Sequence, residues 1–140
     1  MTEPLPLETR PIHLGRGATA IPQPAFTGID WYADYASRNA DDGIDGRLVS
    51  FFRFTADWDG WEMHPSGHEV VICTEGRLTL IQQDPGGRVT SVTLGPGEYA
   101  INPPGVWHTA DVAAGGAGAV FITAGLGTEH RPRQSGLSSR

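Results

Sequence analysis

The sequence predicts an all-β domain, built as an antiparallel sandwich or a small barrel. From Arg47 onward, short runs rich in β-branched and aromatic residues are separated by Gly- and Pro-containing turns, at a spacing of roughly ten residues. No helical period of apolar residues is sustained through this region. With 140 residues, the chain is most simply one domain that is large enough to bury a real core.

Residues 1–46 are predicted to form an extended arm with a short helix that packs on the barrel. Five prolines among the first 24 residues disfavour a long helix, and Ile12–Leu14 is expected to be a short edge strand. Asp30 is a suitable N-cap for a helix of one or two turns that follows it and stops before Gly43. The aromatic residues of this helix are expected to cover one end or side of the barrel, and a role as a lid that faces substrate is the alternative.

Residues 47–126 are predicted to form the barrel and residues 127–140 a polar C-terminal tail. Asp84–Gly87 is a clear turn signal, and the glycine-rich residues 113–118 are expected to be a flexible connection. The predicted strands are Leu48–Phe54, Gly60–His64, Glu69–Thr74, Arg77–Gln82, Arg88–Leu94, Tyr99–Asn102, Val106–Val112 and Ala119–Thr123.

Composition excludes several classes of function. The formal charge is −6 and no basic stripe is present, so nucleic acid is not expected as a partner. All ten basic residues are arginine, which excludes Schiff-base chemistry on a lysine. The single cysteine, Cys73, lies in an apolar strand and is expected to be a core residue. The N-terminus lacks the features of a signal peptide and no apolar run is long enough to span a membrane, so we expect a cytoplasmic protein without a membrane partner.

Residues 60–69 concentrate side chains that bind metals. Successive side chains of a strand face opposite ways, so Glu62 and His64 project from the same face. Pro65–Gly67 reads as a tight turn, after which the chain runs back from Glu69. This hairpin can bring the three side chains to one spot, and His108 can reach it from a later strand. Imidazole and carboxylate groups at such spacing are a ligand set for a divalent metal.

The same region resembles the first sequence motif of the cupins. That motif runs Gly, five residues, His-x-His, three or four residues, Glu, six residues, Gly. Glu69 and Gly76 fit its end, and His64 takes the position of the second histidine. The first histidine position is occupied by Glu62, a departure from the family pattern that keeps a side chain able to bind a metal.

Residues 97–108 resemble the second cupin motif, which runs Gly, five residues, Pro-x-Gly, two residues, His, three residues, Asn. Its first four positions are matched without a gap by Gly97, Pro103, Gly105 and His108. The final Asn position is occupied by Val112. The resemblance covers roughly residues 47–124 and implies a small single-domain cupin, whose jelly-roll barrel is an antiparallel double-stranded β-helix.

The resemblance also implies a function, with two alternatives. In the first, a divalent Fe, Mn, Ni or Zn ion is held by Glu62, His64, Glu69 and His108, and the protein acts on a small organic acid, enol-type metabolite or sugar as a dioxygenase, isomerase or decarboxylase. Glu62 is then a fourth ligand or the catalytic base beside the metal. In the second, the same residues form a metal-free pocket of a binding or accessory module. A homodimer that binds a small molecule is expected in either case.

Other polar and aromatic residues receive simpler interpretations. His68 neighbours Glu69 in the strand and is expected to face the other way, while His13 and His130 are expected at the surface. Either Phe52 and Phe54 or Phe51 and Arg53 are expected to face the interior. An inward Arg53 is a candidate anion binder, and an outward Arg53 is a solvated side chain.

Overall fold

A computed structural model of the chain describes residues 3–134, so the last six residues of the predicted tail lie outside the described part. Antiparallel strands predominate, which confirms the all-β prediction, and among residues 3–134 no helix is long and apolar enough to cross a membrane. The elements are β1 (Ile12–Gly15), β2 (Thr19–Pro22), α1 (Trp31–Arg38), β3 (Arg47–Phe54), β4 (Gly60–Met63), β5 (Glu69–Gln83), β6 (Val89–Leu94), β7 (Tyr99–Asn102), β8 (Trp107–Thr123) and β9 (Glu129–Pro132).

Two long strands, β5 and β8, pair with each other along their lengths and organise the fold. The first half of β5 pairs with the second half of β8, and the second half of β5 pairs with the first half of β8. One half-sheet has the order β2-β1-β3-β8-β5-β7, and the other has the order β9-β4-β8-β5-β6. Two antiparallel half-sheets that share their long strands are the arrangement of a jelly roll, as the sequence predicts.

The long strands bend where glycines bring their backbones together. A Cβ atom on Gly76 would lie 2.0 Å from the carbonyl oxygen of Gly116, and both glycines have positive φ. The prediction of a flexible connection at 113–118 is wrong, because this segment lies inside β8. The predicted break between Thr74 and Arg77 is likewise a bulge within β5. Glycine pairs signal a turn in sequence, but here the neighbouring strand holds them in the sheet.

The core lies between the two half-sheets and is filled from their inner faces. Leu78, Leu80 and Val71 are fully buried, and Cys73 is a core residue as predicted. On β3 the side chains of Phe52 and Phe54 pack against this core. Further members of the cluster are Leu94, Ala110, Ala117, Ala119 and Phe121. Arg53 faces outward and forms ion pairs with Glu8 and Glu75.

The N-terminal arm extends the first half-sheet. Strand β1 lies between β2 and β3, so the edge of the sheet is β2 and the prediction that residues 12–14 form an edge strand is wrong. His13 is only 1% exposed, which also contradicts the prediction that it lies at the surface. Its ring nitrogens lie 2.6 Å from the Tyr35 hydroxyl and 2.5 Å from the Asp42 carboxylate. Sequence did not reveal these partners, because they lie 22 and 29 residues further along the chain.

Helix α1 packs on the body through aromatic side chains. Trp31 is buried and stacks on Tyr35, with 5.4 Å between the ring centroids. Its ring also contacts that of Phe26, at 5.5 Å. Phe26 continues the series of contacts to Phe52 of β3, at 5.7 Å. The aromatic content of this segment therefore joins the helix to the core.

The outer face of the first half-sheet is apolar. Strand pairing aligns its outward side chains in two rows, one across β1, β3, β8, β5 and β7 and the other across β3, β8, β5 and β7. The rows are Ile12–Val49–Ile122–Val70–Ile101 and Phe51–Val120–Ile72–Tyr99. None of these nine side chains is charged and none is fully buried, so this surface, the outer apolar face, is partly open to solvent.

Candidate metal centre

Four ionisable side chains meet inside the barrel because of strand register and alternation. Glu62 of β4 lies directly opposite His108 of β8. His64 follows two residues after Glu62 and faces the same side, while Glu69 begins β5 after the turn. The structure thus brings together all four residues that the sequence predicts as ligands.

The two imidazoles lie between the two carboxylates. The Nε2 atom of His64 is 3.2 Å from Glu69 Oε2 and 3.8 Å from Glu62 Oε1. The Nε2 atom of His108 is 3.2 Å from Glu69 Oε1 and 3.6 Å from the same oxygen of Glu62. His64, Glu69 and His108 are buried, whereas the side chain of Glu62 is 35% exposed. Glu62 therefore forms the solvent-facing side of the centre.

Glu69 is held from behind by neutral polar groups. Asn102 Nδ2 donates to Glu69 Oε1 at 2.9 Å, and Thr123 Oγ1 donates to Glu69 Oε2 at 2.6 Å. Gln82 Nε2 donates in turn to Asn102 Oδ1 at 2.7 Å. These contacts fix the plane of the carboxylate and leave its remaining lone pairs toward the imidazoles.

The charges of the centre depend strongly on one another. Burial acts to raise the pKa of Glu69, but the adjacent imidazoles of His108 and His64 outweigh it and hold that pKa below its usual value. Burial acts to lower the pKa of His108, but the carboxylates of Glu62 and Glu69 overcome it and raise the pKa to about 9. Two carboxylates in this position require positive charge nearby, which either a proton or a metal cation supplies.

The donor atoms fit a divalent metal ion. The Nε2 atoms of His64 and His108 are buried and have no hydrogen-bond partner of good geometry among the described residues. Ligand atoms of these two residues and of Glu62 all lie within 4.8 Å of one another. When each metal–donor distance is about 2.1 Å, two ligand atoms of one ion can be up to about 4.2 Å apart. Glu62 Oε1 lies 3.8 Å from His64 Nε2 and 3.6 Å from His108 Nε2, which is within that limit.

Several residues at the centre had no sequence signal of their own. Asn102 and Thr123 lie at strand ends, where alternation alone does not distinguish a buried polar partner from a surface residue. Thr128 Oγ1 lies 2.7 Å from His64 Nδ1, and His130 Nε2 lies 3.4 Å from Glu62 Oε2. Both belong to the region that the sequence assigns to the polar tail. His130 is 64% exposed in its side chain, so it is a surface residue as predicted and also a neighbour of the centre.

Aromatic side chains surround the centre. Trp58 lies beside His108, at 6.2 Å between ring centroids, and continues the aromatic core. Burial, and after it the negative charges of Glu62 and Glu69, raise the pKa of Tyr32 in α1 to about 12. His68 is exposed and faces away from the centre.

Comparison with known proteins agrees with this architecture. A family model described as a cupin domain matches residues 55–125, just over half of the chain. The chain belongs to the cupin family. The match contains all four residues of the centre and ends before β9. Among curated proteins no significant match is found.

Solved structures similar to this cupin share its fold at low sequence identity. The coconut allergen cocosin has 14% identity and a TM-score of 0.57, over 69% of this chain and 26% of its own. Oxalate oxidase has 18% identity and a TM-score of 0.50, over 59% and 44% of the two chains. A cupin-2 domain-containing protein from Shewanella frigidimarina has 24% identity and a TM-score of 0.45, over 62% and 71%. This cupin thus spans less than half of oxalate oxidase and about a quarter of cocosin.

Proposed function

We propose that the protein binds one divalent metal ion through Glu62, His64 and His108, with Glu69 as a fourth ligand, and acts as a small metal-dependent enzyme. The observation that carries this proposal is the pair of buried Nε2 atoms that face two carboxylates and have no hydrogen-bond partner of good geometry within residues 3–134. Imidazole and carboxylate donors suit Fe, Mn, Ni or Zn. The substrate class proposed is a small organic metabolite, and oxalate oxidase, whose name gives such a substrate, has a structure that shares the fold.

The reaction proposed is of the dioxygenase, isomerase or decarboxylase type. When bound, the metal supplies a Lewis acid that polarises an oxygen atom of the substrate or activates dioxygen. Where Glu62 does not bind the ion, it is the candidate catalytic base instead of a ligand, because its carboxylate is the solvent-facing member of the set and has one oxygen turned toward His130. On the opposite side His108 is fully buried beside Trp58, and this packing limits the access of water to the centre.

A metal-free binding module is the second candidate function. The raised pKa of His108 and the lowered pKa of Glu69 support this candidate, because a protonated imidazole balances a buried carboxylate without a metal. The same residues would then hold a polar ligand in place of a metal. Both candidates involve the same side chains, so direct measurement of bound metal distinguishes them.

The proposal also includes a homodimer that forms through the outer apolar face. A chain with a net charge of −6 repels its copies at most surfaces, but the nine side chains of this face are uncharged, and Arg53, which lies 4.9 Å from the Phe51 ring, is paired with Glu8 and Glu75. Two copies that pack these faces against each other bury the exposed side chains of Ile101 and Tyr99. The face is formed by one half-sheet, so the same surface is available on both copies for the isologous contact of a twofold dimer.

The test of the metal centre is elemental analysis of untagged protein, with His64→Ala and Glu62→Gln as variants. Near-stoichiometric metal is expected in the wild type. The metal is expected to be lost in His64→Ala, because that variant keeps only one of the two imidazole ligands. Retention of metal in Glu62→Gln together with loss of activity would assign Glu62 as the catalytic base. His68→Ala is the matched control, since His68 is exposed, and should keep the wild-type metal content.

A wild-type protein that stays metal-free after incubation with Fe, Mn, Ni and Zn salts would exclude the metalloenzyme. In that case the metal-free binding module becomes the function to pursue, by screening small polar ligands against the same variants.

A further inference from the structure

The turn that follows β8 packs against the turn that follows His64. Strand β9 pairs with β4, which places residues 125–128 next to the loop at Pro65–Gly67. Ser66 Oγ donates to the carbonyl oxygen of Leu126 at 2.7 Å, and a Cβ atom on Gly127 would come within 3.1 Å of Pro65. The family match ends at residue 125, so this contact is made by a part of the chain beyond the matched cupin domain.

Thr128 connects this turn directly to a side chain of the centre. Its Oγ1 atom lies 2.8 Å from the carbonyl oxygen of Gly125 and 2.7 Å from Nδ1 of His64. A threonine hydroxyl has one proton, and a carbonyl oxygen can only accept. The hydroxyl therefore donates to Gly125 and accepts from His64, which requires the proton of the imidazole to be on Nδ1.

The position of that proton decides what the other nitrogen can do. In a neutral imidazole with a proton on Nδ1, the Nε2 atom carries a free lone pair. This Nε2 atom of His64 is the one that faces Glu69 and Glu62. A lone pair directed at two carboxylates is unfavourable unless a proton or a metal cation lies between them, and with a metal cation the arrangement is that of a metal ligand with its outer hydrogen bond in place.

We propose that Thr128 is a positioning residue, which holds His64 in the tautomer and orientation that present Nε2 to the metal. The inference rests on the proposed metal centre and adds a component from outside the matched cupin domain. The two imidazoles are then held differently, because Nδ1 of His108 has no hydrogen-bond partner among the described residues. His64 depends on a hydroxyl, whereas His108 depends on packing against Trp58.

The first test measures Zn²⁺ affinity of the full chain by competition with a chromogenic chelator. Thr128→Val keeps the shape of the side chain but removes the acceptor, and the affinity is expected to fall about 10- to 100-fold, as for other outer-shell partners of metal ligands. Thr128→Ser restores the acceptor and is expected to stay within about threefold of wild type. Thr79→Val is the matched control, because it removes a hydroxyl on β5 that forms an exposed hydrogen bond with the hydroxyl of Thr93.

An affinity of Thr128→Val within twofold of wild type would overturn the inference, as would a Thr128→Ser variant as weak as Thr128→Val. Thermal unfolding of the metal-free variants checks that each one folds. If the wild type itself binds no Zn²⁺, the proposed metal centre is wrong. This result differs from normal Zn²⁺ affinity in Thr128→Val, which contradicts only the role of Thr128.

The second test does not require metal. In ¹⁵N-correlated NMR spectra of the metal-free protein, the Nδ1 proton of His64 is expected to be protected from solvent exchange in wild type and Thr128→Ser. Protection is expected to be lost in Thr128→Val, since the buried Nδ1–H then has no acceptor. Equal exchange rates in the three proteins would show that Thr128 does not hold this proton.

Discussion

Glu69 is a buried carboxylate of the centre, and its charge must be stabilised by the groups around it. An ionised carboxylate inside a protein is costly unless it is hydrogen-bonded and compensated by positive charge. Asn102 and Thr123 provide the hydrogen bonds, and the imidazoles of His64 and His108 stand on the other side. The carboxylate of Glu69 thus has neutral hydrogen-bond donors on one side and titratable imidazoles on the other.

A second buried polar cluster ties the N-terminal arm to α1 and to the turn after it. The Asp42 carboxylate can only accept, so His13 donates to it from Nε2, and Nδ1 of a neutral His13 then accepts from the Tyr35 hydroxyl. The hydrogen bond from His13 lowers the pKa of Asp42. Burial, and after it the charge of Asp42, raises the pKa of Tyr35 to about 12.

This raised pKa predicts a loss of stability at alkaline pH. A raised pKa favours the neutral phenol in the folded protein, so the stabilisation is complete below the unfolded pKa of about 10 and is lost as the pH rises through about 12. We expect the free energy of unfolding to fall between these two pH values, and to fall less in Tyr35→Phe. Urea titrations across the range, with phenolate absorbance as a second signal, measure both. A Tyr35 that ionises near pH 10 in the native protein would contradict the prediction.

At the scale of elements, the bends of β5 and β8 allow the jelly roll to form from so few strands. Each long strand contributes to both half-sheets, so its bend must be accommodated where the two backbones are closest. Gly76 and Gly116 meet that need, because a side chain at either position would collide with backbone atoms. The bend is therefore fixed by close packing of main chain, not by a loop.

Substitution at this bend is expected to be severe. Gly76→Ala places a Cβ atom 2.0 Å from the Gly116 carbonyl oxygen at a φ of +68°, so both steric overlap and backbone strain oppose it. We expect a loss of roughly 3 kcal/mol or more in the free energy of unfolding, measured by chemical denaturation. Gly87→Ala is the matched control, with a φ of +88° and no neighbouring atom within 4 Å, and is expected to cost about 1 kcal/mol. Equal losses in the two variants would show that the close approach is not what fixes Gly76.

At the scale of the whole molecule, the outer apolar face predicts the state of association. Tyr99→Glu changes a side chain that is 64% exposed in the single chain, so it leaves the fold intact while placing a charge on the face. We expect the wild type to have the mass of a dimer at micromolar concentration and Tyr99→Glu to have that of a monomer, as measured by light scattering.

The control for this prediction is Ile29→Glu, which changes an exposed side chain away from the face. Ile29 is 84% exposed and precedes α1, so its substitution is expected to leave the dimer unchanged. A wild type that is a monodisperse monomer at the same concentration would rule the dimer out.

Sequence alone predicted the fold class, most strand positions and the four residues that meet in the barrel. These predictions rest on local rules, since strand alternation puts Glu62 and His64 on one face and glycine and proline mark turns. Local rules also produced the errors. The glycines at 113–118 read as a flexible connection, and His13 on a proline-rich arm read as a surface residue.

Only the tertiary structure decided which side chains support the centre from outside. Alternation determines the face on which a residue lies, but not what lies across from it. The partners of Glu69 and His64 are 33 to 64 residues away in sequence, because strands that are distant along the chain become neighbours in the jelly roll. Thr128 is the clearest case, since it reaches His64 only because β9 pairs with β4. The sequence by itself therefore determined the candidate ligands, and long-range strand pairing determined the hydrogen bonds that orient them.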